Sequence, residues 1–373
     1  MPFPDSVPIL TDGVVRLRAH READAERIVE QCTDPESLRW TTVPRSYTLE
    51  MAHEWVGEIA QGWDTGGDQL WAIEDATGAG DDADGAFQGT IDLRPREAGR
   101  AEIGYGLHPG ARGRGLMARA LKLVCQYWFD AGGQRVDWYA ESGNFASWGP
   151  ARAAGFEFLA TLPQHVVHGD GGLVDAWFGS LGRDDPMQPR TEWVTPPVLE
   201  ADGIRLRPWR DSDVESVEAP DHPEHFLPSR AIPTPETWAD WLIRRRLFMA
   251  RGTSVCWCIA DAETDRALGD MLVFVDGGAL ADGDTAELGY FLHPSARGRG
   301  AARTGARLAV AHAFAPKEKG GLGLRRLVAE TAADNTASNA ILKAVGFTRW
   351  GHEEAATAPD GSVGPADHWE LLR

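Results

Sequence analysis

Apolar and polar positions follow two periods along this chain, one of about two residues and one of about 3.6 residues. The shorter period, as in residues 14–18 and 204–207, predicts β-strands separated by Gly- and Asp-rich turns. The longer period predicts amphipathic helices. Their alternation indicates an α/β layered fold. The predicted helices include residues 21–32, a segment after Thr48, and residues 117–129 and 301–314. Further predicted strands are residues 69–75, 87–94, 101–108, 135–141 and 325–331.

The second half of the chain repeats the first half, block by block and in the same order. The clearest block is AEIGYGLHPGARGRG (101–115), which returns as AELGYFLHPSARGRG (286–300). The block that begins at Thr48 returns at Thr234, where the following Pro235 adds the signal of a helix N-cap. Chance explains similarity in one block, but it does not explain several blocks in register.

A chain of 373 residues is too long for one ordinary core, so the repeat is interpreted as two tandem domains. We predict domains at residues 8–181 and 199–373. Residues 182–198 between them are rich in proline and charge and are predicted to be an extended linker. The hydrophobic fraction of 43% and the charged fraction of 25% are typical of a globular protein.

The charge and the cysteines narrow the possible partners and the compartment. A net charge of −19 disfavours nucleic acid, which requires a basic face, and favours cationic amines. No apolar run is long enough to span a membrane, and no secretion signal is recognised. Cys32, Cys125, Cys256 and Cys258 form no CxxC pair. We therefore expect a cytoplasmic protein without membrane or nucleic-acid partners, either monomeric or homodimeric.

The most informative segment of each half is an arginine–glycine sequence between a predicted strand and a predicted helix. Pro109 and Pro294 end the strands, because proline cannot donate to a β-ladder. Backbone N–H groups in such a turn converge at a positive helix N-terminus, which predicts an anion site suited to a diphosphate. Glycine permits close approach, and arginine adds charge-assisted contacts. The turn residues are Arg112, Gly113, Arg114 and Gly115 in the first half and Arg297, Gly298, Arg299 and Gly300 in the second.

These turns resemble the coenzyme A motif of the GNAT acetyltransferase superfamily, Arg/Gln-x-x-Gly-x-Gly/Ala. The second half fits the motif through Ala301 and Ala302, whereas Met117 replaces the last small residue in the first half. The pattern E-[IL]-G-Y-x-L-H-P and the later N-x-A-S…G-F block are most similar to the branch that contains the ribosomal-protein N-terminal acetyltransferases. The resemblance implies that each domain is a mixed, splayed β-sheet with helices on both faces.

The same resemblance implies that acetyl-CoA is the cosubstrate and that no metal is needed. Acetyl-CoA would insert at the splay, with its pantetheine along the strand that ends in Leu-His-Pro. Both histidines could touch it, although we favour a structural role for them at the strand end. The residues assigned to acetyl-CoA besides the turns are Leu107, His108 and Asn144 in the first half and Leu292, His293, Ala301 and Ala302 in the second.

Acetyl transfer requires an amine that has lost its proton, so a carboxylate that accepts this proton is expected near the thioester. In the family, a glutamate just before the Gly-Tyr strand pattern often acts as this base, directly or through water. This implies the role of base for Glu287 and for its counterpart Glu102. The alternative interpretation of each residue is a strand-end carboxylate in solvent.

A proton donor for the departing thiolate is also implied by the resemblance. Ser338 takes this role, Asn335 lies near the pantetheine, and Ser147 is the counterpart of Ser338 in the first half. Asn335 also predicts an N-cap. Many GNAT enzymes carry a tyrosine acid four residues after the serine, but this chain has Leu342 and Ala151 there. The alternative for Ser338 is a plain helix-start residue.

The two halves differ at two positions that bear on activity. Met117 could crowd the phosphate, and Pro150 lies in the first half where Ile341 lies in the second. A proline inside a helix costs about 3 kcal/mol and removes a hydrogen bond. We therefore expect the second domain to carry catalysis and the first to be altered or inactive.

Three functional interpretations follow from these observations. The leading one is an acetyl-CoA-dependent N-acetyltransferase that acts on a protein N-terminus, an amino acid or an amine-bearing metabolite. The second is an acyl-CoA-binding regulatory or scaffold protein in which one or both domains are inactive. The third, a nucleotide-phosphate enzyme, lacks the acidic metal partner and the Lys-Ser/Thr pair that it needs. The sequence does not identify the acceptor, because specificity lies in loops and early helices.

Overall fold

The computed structural model describes residues 7–65, 67–78, 85–169, 171–221, 231–275, 277–358 and 361–373. The chain forms two compact units, which divide after Arg190, inside the segment 182–198. On either side of the division, a residue of this segment is bound by its own unit. Arg190 forms an ion pair with Glu157 (2.9 Å), and the indole N–H of Trp257 donates to the carbonyl of Pro197 (2.9 Å).

Within its described residues, the first unit contains one eight-stranded sheet and five α-helices. Its strands lie in the order β1-β2-β3-β4-β5-β6-β8-β7. The strands are β1 (Leu10–Thr11), β2 (Val15–Arg18), β3 (Gln69–Asp75), β4 (Phe87–Pro95), β5 (Arg100–Leu107), β6 (Arg135–Glu141), β7 (Glu157–Val167) and β8 (Leu173–Gly182). The helices are α1 (Ala25–Thr33), α2 (Pro35–Trp40), α3 (Leu49–Thr65), α4 (Leu116–Asp130) and α5 (Phe145–Ala153).

The second unit repeats this sheet order with strands β9 to β16. The strands are β9 (Leu199–Ala201), β10 (Ile204–Arg207), β11 (Ser254–Asp261), β12 (Ala267–Phe274), β13 (Thr285–Leu292), β14 (Arg326–Ala332), β15 (Thr348–Thr357) and β16 (Val363–Leu372). The helices are α6 (Trp238–Ala250), α7 (Ala301–Phe314) and α8 (Thr336–Ala344). Across both units, no helix in the described ranges is long and apolar enough to cross a membrane.

Each sheet opens between its two parallel strands. β13 and β14 pair from Thr285 to Glu287 only, whereas β13 stays paired with β12 as far as Leu292. β5 likewise pairs with β6 up to Ile103, although it continues to Leu107. The parallel strands therefore separate beyond these points and leave a gap. This confirms the predicted α/β fold of two mixed, splayed sheets.

Helices cover both faces of the second sheet. Successive side chains of a strand point to opposite faces, so β13 contacts both layers. Leu288 of β13 packs in the core with α7 residues such as Ala306. Phe291, on the other face, packs against Trp209 and against Trp241 of α6. One strand therefore connects two separate hydrophobic clusters, and its ends are fixed relative to the helices on each side.

Two helix termini show how local chemistry decides a boundary. α5 forms although Pro150 lies inside it, and the side chain of Asn144 caps its first turn. The prediction that Thr234 caps the equivalent of α3 is wrong. α6 begins at Trp238 with Thr237 at the N-cap, and the N–H of Thr234 donates to the Thr237 hydroxyl (2.9 Å). Thr234 therefore opens a turn that precedes the helix.

The four cysteines are free thiols. Cys125, Cys256 and Cys258 are buried, and Cys32 is partly buried. Burial raises the pKa of the Cys32 thiol to about 11 and that of Cys256 to about 12. These thiols stay protonated at neutral pH, so they are poor nucleophiles.

Candidate functional site

The arginine–glycine turns lie where the sequence predicts them, between a strand end and a helix start. Gly115 and Gly300 directly precede α4 and α7 and have φ values of +74° and +79°. Gly113 and Gly298 are also left-handed, at +75° and +77°. Such values favour glycine. A Cβ atom added at Gly113, Gly115 or Gly298 would meet no protein atom within 4 Å. The space in front of each turn is therefore open, as close approach of an anion requires.

Carboxylates bind Arg112, Arg114 and Arg297 of these turns. Arg112 forms an ion pair with Asp34 (2.6 Å), and Arg297 forms one with Asp221 (2.7 Å). Arg114 hydrogen-bonds to Asp75 at the end of β3. If a diphosphate bound at either turn, its oxygens would replace these carboxylates as partners of the arginines. Charge-assisted hydrogen bonds would be present both before and after this replacement.

The two candidate bases occupy different environments. Glu102 accepts hydrogen bonds from Arg94 (2.8 Å) and Arg96 (3.1 Å). Glu287 lies at the last residue pair between β13 and β14, where the sheet begins to open, and lines a cavity there. In the strand pairing, Phe274 lies opposite Glu287 in the position that Arg94 has opposite Glu102. The first-half carboxylate is therefore neutralised by two guanidinium groups.

The serine at the start of α8 binds a tyrosine that the sequence did not single out. The hydroxyl oxygens of Tyr290 and Ser338 are 2.8 Å apart, and the Tyr290 hydroxyl also reaches the Ser338 carbonyl (3.3 Å). The Asn335 side chain accepts from the Ser338 N–H (3.1 Å), which confirms the predicted N-cap. Burial raises the pKa of Tyr290 to about 12, so the phenol keeps its proton at neutral pH.

The first half contains the same pair with one further contact. Tyr105 donates to the Ser147 carbonyl (2.7 Å), and the Ser147 hydroxyl donates to the Tyr105 oxygen (3.2 Å). The indole N–H of Trp138 also donates to the Ser147 hydroxyl (3.0 Å). Ala329 of β14 occupies the place of Trp138 in the second half. The Ser147 hydroxyl is therefore fixed by two aromatic side chains.

The signal that could have identified these tyrosines lies in the strand pattern itself. Tyr105 and Tyr290 each follow the candidate base by three residues on an alternating strand, so the tyrosine faces away from the base. The helix positions where the resemblance expects a tyrosine hold Ala151 and Leu342, which are fully buried. The hydroxyl near the serine thus comes from the strand instead of the helix.

Glu287 and Tyr290 therefore lie on opposite faces of β13, and the gap between β13 and β14 begins at Glu287. A carboxylate and a hydroxyl pair flank this opening from its two sides. The arginine–glycine turn lies past Leu292, at the far end of the same strand. A ligand anchored at that turn and extended along β13 would bring its reactive end between the two groups.

The strand-end histidines are buried beneath the turns. The ring of His108 accepts from the Gly110 N–H (3.2 Å), and its other nitrogen donates to Glu30 (2.8 Å). Burial lowers the pKa of His293, which is 1% exposed. Direct contact of either ring with a ligand would require the ring to move. Among the described residues, no three His, Cys, Asp or Glu side chains are grouped to hold a metal ion.

A buried ion pair supports the base-side face of the second sheet. Asp270 is fully buried on β12 and accepts from the guanidinium of Arg245 on α6 (2.8 Å) and from the indole of Trp209 (2.8 Å). Arg245 also lies over the ring of Trp241, 4.8 Å from its centroid. The corresponding residue of the first half is Thr90. Sequence reasoning missed this pair because an isolated aspartate in a strand carries no pattern.

Comparison with known proteins gives the same result for both halves. A family model described as an acetyltransferase (GNAT) domain matches residues 15–157 and 204–348. The comparison with curated protein sequences gives no match.

Solved structures similar to this chain each align with about half of it. A GNAT-family acetyltransferase from Bacillus anthracis is 14% identical and aligns over 48% of this chain and 99% of its own, with a TM-score of 0.41. RimL, a ribosomal L7/L12 alpha-N-protein acetyltransferase in complex with coenzyme A, is 18% identical. It aligns over 47% of this chain and 98% of its own, with a TM-score of 0.41. A GCN5-related N-acetyltransferase from Brucella melitensis is 22% identical. It aligns over 49% of this chain and 81% of its own, with a TM-score of 0.41.

Proposed function

Because both halves of the chain belong to the GNAT acetyltransferase family, we propose that the protein transfers the acetyl group of acetyl-CoA to a primary amine. The acceptor class comprises small molecules and peptide N-termini. The observation that carries the proposal is the repeated arginine–glycine turn, with open space in front of its left-handed glycines and a helix N-terminus behind it. Such a turn binds a diphosphate, which is the anchor of coenzyme A.

In the proposed mechanism, the amine nitrogen attacks the thioester carbonyl carbon in the gap beside β13. Glu287 accepts the proton that the nitrogen loses as the amide bond forms. The carbon–sulfur bond then breaks, and the thiolate takes a proton from the Ser338 hydroxyl. Tyr290, 2.8 Å from that hydroxyl, holds it in place and returns a proton to the serine oxygen. Glu287 releases its proton to solvent, and solvent restores the proton of the phenol. Binding at the turn supplies the positioning that makes this attack intramolecular.

We place catalysis in the second half. Arg94 and Arg96 bind both oxygens of the Glu102 carboxylate, and the indole N–H of Trp138 donates a further hydrogen bond to the Ser147 hydroxyl. Glu287 lines the cavity at the start of the gap between β13 and β14. The first half would then bind acetyl-CoA, through the same turn, without rapid transfer.

The direct test of the proposed function is release of free thiol from acetyl-CoA in the presence of a panel of primary amines. Amine-dependent thiol release, with the acetylated amine found by mass spectrometry, supports transfer. The alternative function, an acyl-CoA-binding regulatory or scaffold protein, predicts that CoA protects the chain against heat while no amine in the panel accelerates thiol release.

Gly298→Val should weaken CoA binding in the second half at least about tenfold. The substitution forces a β-branched residue into a left-handed conformation, which costs about 1–2 kcal/mol, and places its side chain where the diphosphate would approach. The measurement is the protection against hydrogen exchange that CoA gives to residues 297–304.

Gly361→Val is the matched control for this prediction. Gly361 has a φ of +84°, and its added Cβ also meets nothing within 4 Å, but it lies in the hairpin before β16. The control should carry a similar strain and keep full CoA protection at residues 297–304. Equal protection in both variants would contradict the assignment of the turn.

Ser338→Ala should lower kcat by about 10²-fold and leave KM for acetyl-CoA within about threefold, because the serine acts on the leaving thiolate. Tyr290→Phe should lower kcat about tenfold, and it should have little further effect in the Ser338→Ala background. Steady-state thiol release of the two single variants and the double variant measures this coupling. Additive losses would mean that Tyr290 does not act through Ser338.

A further inference from the structure

Close to the candidate base, the two halves differ in the length of the loop that precedes β5 and β13. The first half joins β4 to β5 through residues 96–99, whereas the second half joins β12 to β13 through the longer segment 275–284. Leu280 anchors this loop, because its side chain is buried in the core and its N–H donates to the Gly252 carbonyl (2.8 Å). Residue 276 lies outside the described residues. The added loop is therefore attached to the core of its own unit.

The loop and the strands beneath it line a cavity of about 420 Å³ that is open to solvent. This volume lies within the usual range of about 300–1,000 Å³ for small-molecule sites. Apolar walls come from Phe274, Val275 and Val328, and carboxylates come from Glu287 and from Asp282 of the loop. The cavity thus combines the candidate base, a second acidic group and an apolar surface.

Resting on the proposed function, we propose that this cavity binds the acceptor, and that the acceptor is a compact amine with an apolar body and a second cationic group. The amine to be acetylated lies at Glu287, and the second cation is attracted by Asp282. Two carboxylates in one cavity of a chain with a net charge of −19 favour a dication over a neutral or anionic amine. An alkyl diamine has this chemistry.

An ion pair distinguishes Asp284 from Asp282 within the loop. Asp284, in the same loop, is bound by the guanidinium of Arg325 (2.8 Å), so its charge is neutralised. The Lys317 ammonium donates to the Ala281 carbonyl (3.0 Å) and holds the loop. In the first half, Arg94 and Arg96 already occupy the Glu102 carboxylate that a cationic acceptor would need. The specificity is therefore assigned to the second half.

The test compares 1,4-diaminobutane with butylamine as acceptors in steady-state thiol release by the full chain. The wild type should prefer the diamine, and Asp282→Asn should lower kcat/KM for the diamine about threefold to fivefold, as expected for one partly exposed ion pair. In the same variant, kcat/KM for butylamine should change less than about twofold. Asp284→Asn removes the same formal charge from the same loop and should leave the preference for the diamine intact.

The possible failures are distinguishable. If butylamine and the diamine are acetylated equally well by the wild type, or if Asp282→Asn slows both equally, the cavity assignment is wrong while the transferase function stands. If neither these amines nor any other in the panel releases thiol, although CoA binds, the proposed function is wrong. The assignment of the cavity to an acceptor is then wrong as well.

Discussion

Glu287→Gln should lower kcat/KM for the amine by about 10²- to 10⁴-fold, the usual contribution of a general base. Glutamine keeps the size of the side chain and its place at the start of the gap, but it cannot accept a proton at neutral pH. The diphosphate turn lies past Leu292, so KM for acetyl-CoA should stay within about threefold. Initial rates of thiol release at several amine concentrations separate the two parameters.

Glu102→Gln is the matched control, since Glu102 holds the same strand position in the first half. Its carboxylate already binds Arg94 and Arg96, so the substitution should change turnover less than about threefold. A large loss from Glu102→Gln with none from Glu287→Gln would assign catalysis to the first half. No loss from either variant would exclude both glutamates as the base.

Asp270→Ala should destabilise the second unit by about 3–5 kcal/mol, because it leaves the buried guanidinium of Arg245 without its counter-charge. It also removes the acceptor of the Trp209 indole N–H. The two units need not unfold together, so a single melting curve is not sufficient. Native-state hydrogen exchange of peptides from β11 and β12 measures the free energy of opening of this unit alone.

Thr90→Ala is the matched control in the first unit. The Thr90 hydroxyl lies 3.1 Å from His20, so its removal should cost only about 1–2 kcal/mol. Replacing Asp270 and Arg245 together by leucine should recover much of the loss, because no buried charge is then left unpaired. If Asp270→Ala costs no more than Thr90→Ala, the ion pair does not support this face of the sheet.

The elements that the sequence predicted well are those with strong periodicity or repetition. Residues 301–314 were predicted as a helix and form α7 with the same bounds, and residues 69–75 and 135–141 form β3 and β6. The repeat predicted two domains of the same fold, because equal patterns bury equal faces. The arginine–glycine turns were recognised through a local motif, and their glycines are left-handed as that motif requires.

The parts that were not predicted depend on contacts between distant segments. The pairing of Tyr290 with Ser338 joins residues 48 positions apart, and no local pattern reports it. The same is true of the ion pair between Arg245 and Asp270. The cavity at Glu287 depends on how the loop folds back onto its core, which composition does not specify. Such non-local contacts are the basis for the proposed difference between the two halves.

The central claim is that the arginine–glycine turns bind the diphosphate of acetyl-CoA. Titration calorimetry of the intact chain with acetyl-CoA tests it most directly, with the variant that carries both Gly113→Val and Gly298→Val as the comparison. The predicted result is saturable binding to the wild type, with a stoichiometry between one and two, that the double variant loses. Absence of saturable binding to the wild type, or unchanged binding to the double variant, would contradict the claim.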